Sequence, residues 1–144
     1  MIEKDTIKLL RECDAGVKMG TSSIEQVLSY VKSGNMKSKL EKCLDEHQGL
    51  DREIQNALSR YHDEGKAPNP IASGMSWIKT NVMLAVNESD NTIADLMTDG
   101  CNMGVKSLNK YLNEYEAADE FSKDITKRLI NLEERLAIDL REYL

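Results

Sequence analysis

The chain has 144 residues, of which 40% are hydrophobic, 31% are charged and 5% are aromatic, and its formal net charge is −6. A chain of this length suits one domain, and its scarce aromatic residues favour a helical protein over a β-sandwich. The acidic balance argues against nucleic acid as a general partner, because phosphate contacts need clustered Lys and Arg.

The targeting and cysteine signals point to the same cellular setting. No apolar run approaches the roughly 20 residues of a membrane span, and the first residues lack the apolar segment of a signal peptide. Cys13, Cys43 and Cys101 are odd in number and have no CxxC spacing, so neither a disulfide framework nor a zinc site is indicated. We therefore expect a protein of the reducing cytoplasm with no membrane partner.

Five segments carry apolar residues at helical spacing, and each is predicted to be a helix. In chain order, the predicted helices run over about Lys4–Lys32, Met36–Glu64, Ile71–Val86, Thr92–Tyr115 and Ser122–Tyr143. The third is the shortest, and it follows a Pro-containing break and precedes a polar turn. The sequence thus predicts two long helical hairpins joined by a short helix.

The boundaries of these helices rest on a few turn residues. We expect Gly34 to close the first helix in a left-handed conformation and Gly65 to end the second. The last junction, near Glu116–Asp119, contains neither Gly nor Pro, so it depends on Asp119 or Ser122 as a helix cap. A single long helix from Asn91 onward is the alternative.

A short pattern of Cys, Gly, Val and Lys occurs twice in register. It spans Cys13–Lys18 and Cys101–Lys106. In both copies Cys, Gly and Val share one helix face, and Gly within a helix costs about 0.5–1 kcal/mol relative to Ala. We therefore predict that the two faces meet where two helices approach closely. The predicted contact residues are Cys13, Gly16, Val17, Cys101, Gly104 and Val105.

The repeat extends into the second helix of each hairpin. Leu44, Leu50 and Ile54 match residues at nearly the same spacing further on, namely Ile130, Leu136 and Leu140. Each half of the chain would then be one helical hairpin. Chance similarity between two amphipathic hairpins is the alternative.

This layout resembles a ferritin-like four-helix bundle, in which a long crossover joins two hairpins. More narrowly, it is similar to a bacterial family of ferritin-like domains of unknown function. Those domains carry a Trp-bearing crossover helix, here Ser76–Lys79, followed by a short polar turn, here Asn87–Asp90. The resemblance implies one all-α domain over residues 1–144, with up-down-down-up helix order and an additional short crossover helix between the second and third bundle helices.

The metal ligands of active ferritin-like proteins are missing. Those proteins use a Glu on each of two helices and Glu-x-x-His on each of the other two. His47 and His62 are the only histidines, and neither has Glu three residues before it. We therefore predict no standard di-metal centre, no redox activity and no catalytic residue. The alternative is an atypical site for iron or another divalent metal, built from His47 with Glu46 or Asp51.

The remaining candidate residues have plain structural explanations. His47 lies within an apolar stripe, so we expect a buried, hydrogen-bonded histidine. Cys13 and Cys101 lack a paired His, so we expect small buried hydrophobic residues and not nucleophiles. The expected function is that of a non-enzymatic bundle that forms homo-oligomers or binds a protein partner. The alternative is a metal-handling ferritin relative, which metal analysis of the purified protein would reveal.

Overall fold

The computed structural model describes residues 2–66 and 89–144, and these residues are almost entirely helical. They form α1 (Ile2–Leu28), α2 (Gly34–Arg60), α3 (Ser89–Glu114), α4 (Glu120–Asp139) and a 3₁₀ turn (Arg141–Tyr143). Within those two ranges there is no strand, and no helix combines the length and apolarity needed to cross a bilayer. The predicted all-α class is confirmed, whereas the predicted helix over Ile71–Val86 lies outside the described residues.

The turn between α1 and α2 differs from the prediction. Gly34 is the first residue of α2 and does not have a positive φ angle, so it does not close α1. Ser33 caps α2 instead, and its side chain accepts a hydrogen bond from the backbone N–H of Met36. A capping hydroxyl satisfies one of the free N–H groups of a helix start. This local bond therefore replaces the left-handed glycine that the sequence indicated.

The end of α2 is formed by a histidine where a glycine is usual. His62 has a φ of 56°, its N–H donates to the carbonyl of Ser59, and the N–H of Asp63 donates to the carbonyl of Leu58. This pair of bonds is the Schellman arrangement that terminates many helices. Gly65, with φ 87°, comes three residues later, so α2 ends before the residue that was predicted to close it.

The junction between α3 and α4 is where the sequence placed it. Asp119 precedes α4, and its carboxylate accepts a hydrogen bond of 2.8 Å from the N–H of Ser122. This N-cap confirms the predicted turn near Glu116–Asp119. The single long helix from Asn91 onward is therefore excluded.

Contacts at the two ends of the bundle define the relative directions of the helices. At one end, the N–H groups of Lys32 and Ser33 donate to the carboxylate of Asp90 at 2.7 and 2.9 Å. At the other end, the N–H of Asp119 donates to the hydroxyl of Thr6 at 2.8 Å. The end of α1 thus lies beside the start of α3, and the start of α1 lies beside the start of α4. Consequently α1 runs antiparallel to α3 and parallel to α4.

A regular ladder of side chains holds α2 against α4 and the turn that follows it. Every seventh residue along one face of α2 pairs with every seventh residue along α4 and the turn after it. The pairs are Lys39–Glu142, Glu46–Arg135, Glu53–Arg128 and Arg60–Phe121. Residue numbers rise on α2 as they fall on α4, so the two helices are antiparallel. A spacing of seven is the repeat of helices that pack along their length as coiled coils.

The hydrophobic core consists of two clusters, one toward each end of the bundle. One cluster contains Ile24, Leu40, Met97 and Leu136, and the other contains Val17, Leu50, Leu108 and Leu129. Each helix has several residues between the two clusters, and one residue per helix comes close to the others at that level. Those four residues are Gly20 on α1, His47 on α2, Gly104 on α3 and Glu133 on α4. We call these four residues the central layer.

Candidate functional site

The central layer pairs the fully buried His47 with Glu133, whose side chain is 13% exposed, and Gly20 provides the space for the imidazole. Nε2 of His47 lies 2.8 Å from Oε1 of Glu133, and the His47 side chain is fully buried. A Cβ atom at Gly20 would lie 2.8 Å from that same Nε2, which is closer than real contacts allow. A Cβ at Gly104 would lie 3.6 Å from Oε2 of Glu133. The glycine of α1 thus makes room for the imidazole, because any larger residue would occupy the same space.

Both ring nitrogens of His47 act as donors. Nδ1 lies 2.8 Å from the backbone carbonyl of Cys43, one turn earlier on α2, and also 3.4 Å from the Cys43 thiol. A carbonyl can only accept a hydrogen bond, so Nδ1 donates to Cys43. The pKa of His47, about 10, keeps the imidazole charged at neutral pH, so Nε2 also carries a proton and donates to Glu133 in a charge-assisted hydrogen bond.

The surroundings of His47 raise its pKa despite its burial. Burial alone lowers the pKa of a histidine, because it disfavours the charged form. The hydrogen bonds to Cys43 and Glu133, together with the negative charge of Glu133, outweigh burial and raise the pKa of His47 to about 10. The folded chain therefore keeps a proton that the unfolded chain releases near pH 6.5.

This raised pKa predicts that the protein loses stability as the pH rises. The stabilisation from His47 is complete below about pH 6.5 and disappears as the pH rises toward about 10, because only the folded state holds the proton in that interval. The free energy of unfolding should fall by up to about 1.4 kcal/mol per pH unit. Urea denaturation at pH 6.5, 7.0 and 7.5 measures this slope below the pKa of about 8.5 of ordinary thiols.

Two histidine variants show whether the slope belongs to His47. His47→Gln removes the titrating group and should flatten the dependence on pH. His62→Asn removes an exposed histidine, with a residue that tolerates the left-handed conformation there, and should retain the slope of the wild type. Equal slopes in the wild type and His47→Gln would contradict the assignment.

The three candidate metal ligands point in different directions. His47 faces the bundle interior, whereas Glu46 accepts a hydrogen bond of 2.7 Å from Arg135 on the outer surface. Asp51 shares the side-chain amide of Gln55 with the fully buried Asp14. Among residues 2–66 and 89–144, no group of three or more His, Cys, Asp or Glu side chains could hold a metal ion. Within these two ranges, the three candidate side chains therefore do not form one group.

The two Cys-Gly-Val patches lie against α4 and do not face each other at their glycines. A Cβ at Gly16 would have only the Leu129 side chain within 4 Å, and the nearest atoms to a Cβ at Gly104 belong to Glu133. Val17 is fully buried in the cluster that contains Leu129, and Val105 packs at the edge of that cluster. The glycine that shares the central layer with Gly104 is Gly20 and not the matching Gly16.

The cysteines of the two patches are buried, as the sequence indicated. The thiol of Cys13 lies 3.1 Å from the hydroxyl of Thr126, and burial raises the pKa of Cys13 to about 12. Burial, followed by the charge of Glu133, raises the pKa of Cys101 as well. A thiol reacts as its thiolate, so both cysteines are held in the unreactive form.

The ion pair was missed in the sequence, although the internal repeat contained a signal for it. His47 and Glu133 are 86 residues apart, which is also the spacing of the matched residues Leu50 and Leu136. The two residues therefore occupy equivalent positions in the two hairpins. Equivalent residues of two antiparallel helices meet only near the centre of the repeat, because the equivalent residues Leu50 and Leu136 lie in different core clusters. The shared spacing therefore marks His47 and Glu133 as a candidate pair and does not by itself predict their contact.

The described residues do not fit the two-metal centre of active ferritin-like proteins. That centre needs four glutamates and two histidines that face the bundle core, whereas the core here presents one histidine and one glutamate that already bind each other. A histidine with both nitrogens hydrogen-bonded has no lone pair left for a metal ion. Comparisons of the chain with protein-family models, with curated proteins and with solved structures gave no match.

Proposed function

We propose that residues 1–144 form a single ferritin-like domain that works without catalysis, through self-association or through binding to another protein. In this proposal the four described helices have up-down-down-up order, and a crossover helix joins α2 to α3. The domain would belong with the bacterial ferritin-like domains of unknown function that its sequence resembles. Its compartment would be the cytoplasm, where its three free cysteines stay reduced.

The helix directions support the proposed order. The Asp90 contacts bring the start of α3 to the end of the bundle where α1 finishes and α2 begins. Both α2 and α3 therefore run away from that end, and α4 returns to it. A connection between two helices of the same direction must span the length of the bundle, which is the feature that distinguishes ferritin-like order from a simple meander.

The observation that carries the proposal is the His47–Glu133 pair. Ferritin-like enzymes place their metal ions in the bundle core, between side chains of facing helices. Here the corresponding depth of the bundle is filled by two side chains that satisfy each other. Buried polar pairs are used in some helical proteins to fix the register of helices, and we assign that structural role to this pair.

Two measurements on one purified sample test the proposed function. Elemental analysis should find less than about 0.1 metal ion per chain, because His47 has no free lone pair for coordination. Light scattering coupled to gel filtration should give a multiple of the 16.3 kDa chain mass if self-association is the mode of action.

The opposite results are equally informative. Stoichiometric iron, manganese or zinc in a monomeric sample would favour the metal-handling alternative. Ferroxidase or peroxidase turnover by metal-loaded protein, lost on His47→Gln or Glu133→Gln substitution, would contradict the non-enzymatic proposal outright.

A further inference from the structure

The outer side of α4 carries a stripe of six residues that alternate in spacing between three and four. These residues are Phe121, Asp124, Arg128, Asn131, Arg135 and Ile138. Such a spacing keeps side chains on one face of a helix over several turns. Phe121, Arg128 and Arg135 of the stripe also pair with α2 in the ladder. The stripe extends about 25 Å at 1.5 Å per residue.

Both ends of the stripe expose large apolar side chains. Phe121 is 42% exposed and Ile138 is 52% exposed. Along the Ile138 half of the stripe lies a surface groove of about 570 Å³, whose lining residues are mostly charged or polar and whose apolar side chains are Leu50, Leu132 and Ile138. Gly49 of α2 also lines the groove and leaves it open to a side chain from outside, because glycine contributes no side chain of its own.

The stripe of one copy complements the stripe of a second copy that runs in the opposite direction. If two copies of α4 pack antiparallel about a two-fold axis at the middle of the stripe, Phe121 lies opposite Ile138 of the second copy. Asp124 then lies opposite Arg135 of the second copy, and Arg128 lies opposite Asn131. The apolar ends meet apolar ends, and each acid meets a base. A two-fold interface requires such self-complementarity, because the same patch serves both subunits.

The charged groups of the stripe are able to take a second partner. Asp124 is 65% exposed and Arg135 is 57% exposed, although Asp124 lies near Arg128 and Arg135 binds Glu46. The bond to Glu46 uses Nη2 of Arg135, which is one terminal nitrogen of a guanidinium with five N–H donors. An acid from a second copy can therefore bind Arg135 without displacing Glu46.

From these observations we propose that a second copy of this chain docks on the α4 stripe, with the two α4 helices antiparallel across a two-fold axis. This inference rests on the proposed self-association and assigns it to one face of the bundle. The binding energy would come from the exposed apolar ends, Phe121 and Ile138, and the Asp124–Arg135 contacts would set the direction and register of the pair.

Complementary charge reversal tests this arrangement. In a dimer of the Asp124→Arg variant, the new arginine of each copy faces Arg135 of the other copy. In a dimer of the Arg135→Glu variant, the new glutamate of each copy faces Asp124 of the other copy. Each variant should weaken dimerisation by at least about tenfold. In a one-to-one mixture of the two variants, every opposed pair regains opposite charges, so a heterodimer should form with nearly the affinity of the wild type. Sedimentation equilibrium measures all four samples, and circular dichroism verifies that the variants stay helical.

A control variant and two contrary outcomes make the test decisive. Met103→Glu changes a side chain that is 63% exposed on α3, away from the stripe, and should leave dimerisation unchanged. If the wild type dimerises and both charge variants dimerise equally well, the α4 interface is overturned while self-association stands. If the wild type is monomeric at every concentration, self-association and this interface fail together.

Discussion

Replacing Glu133 with Ala should lower the free energy of unfolding by about 3 kcal/mol at pH 7, one of the two largest effects expected in this protein. The substitution leaves the buried His47 without the carboxylate that stabilises its charged form. Removing one partner of a buried ion pair costs about 3–5 kcal/mol, because an uncompensated charge stays in the interior. Urea denaturation with linear extrapolation measures the change.

The neighbouring residue provides a matched control for this prediction. Glu134 is exposed on the same helix, so Glu134→Ala makes the same chemical change one position away. Exposed substitutions of this kind usually change stability by no more than about 0.5 kcal/mol. Glu133→Gln, which keeps the size and one acceptor oxygen but not the charge, should fall between the two. Similar losses in Glu133→Ala and Glu134→Ala would show that the pair contributes little.

Substituting Gly20 with Ala should destabilise the protein by up to about 2 kcal/mol, although alanine is the better helix former. The added Cβ would lie 2.8 Å from Nε2 and 2.9 Å from Cδ2 of His47. The imidazole is held on both nitrogens, so it cannot move without losing a hydrogen bond. Overpacking of a dense core costs about 1–3 kcal/mol, and the gain of about 1 kcal/mol from helix propensity offsets only part of that cost.

Another helical glycine gives the opposite expectation and thus a sharp comparison. A Cβ at Gly100 would meet nothing within 4 Å, so Gly100→Ala should raise stability by about 0.5–1 kcal/mol through helix propensity alone. If Gly20→Ala is introduced into a His47→Ala background, the clash disappears and most of its cost should vanish, which a double-mutant cycle measures. Two glycine variants that both gain stability would refute the close contact at Gly20.

These expectations assign a physical role to the polar residues of the core. The His47–Glu133 contact joins α2 to α4 in the interior, and the heptad-spaced ladder joins the same two helices at the surface. Both sets of contacts favour one register, because a shift of either helix by one turn would leave a buried charge without its partner. The antiparallel alignment of α2 and α4 is therefore specified both by the buried contact and by the surface ladder.

The amino-acid sequence by itself determined the elements that depend on near neighbours. Apolar spacing located all four described helices, with most of their boundaries within about four residues, which is ordinary for pattern-based boundaries. The turn before α4 was predicted because Asp119 and Ser122 are both helix-capping residues, and in the structure Asp119 is the cap and Ser122 its partner. The burial of His47 and Cys13 was also predicted, since each lies on the apolar stripe of its own helix.

The tertiary structure alone decided which of these elements touch. Gly16 was expected against Gly104 because the two are matched in sequence, yet Gly16 faces Leu129 and Gly104 faces Glu133. Gly34 was expected to adopt a left-handed conformation, but the Ser33 cap and the distant Asp90 carboxylate determine that turn. Helical periodicity defines only which face of a helix is apolar. The partner of each buried polar group depends on how whole helices pack, and for His47 that partner is 86 residues away.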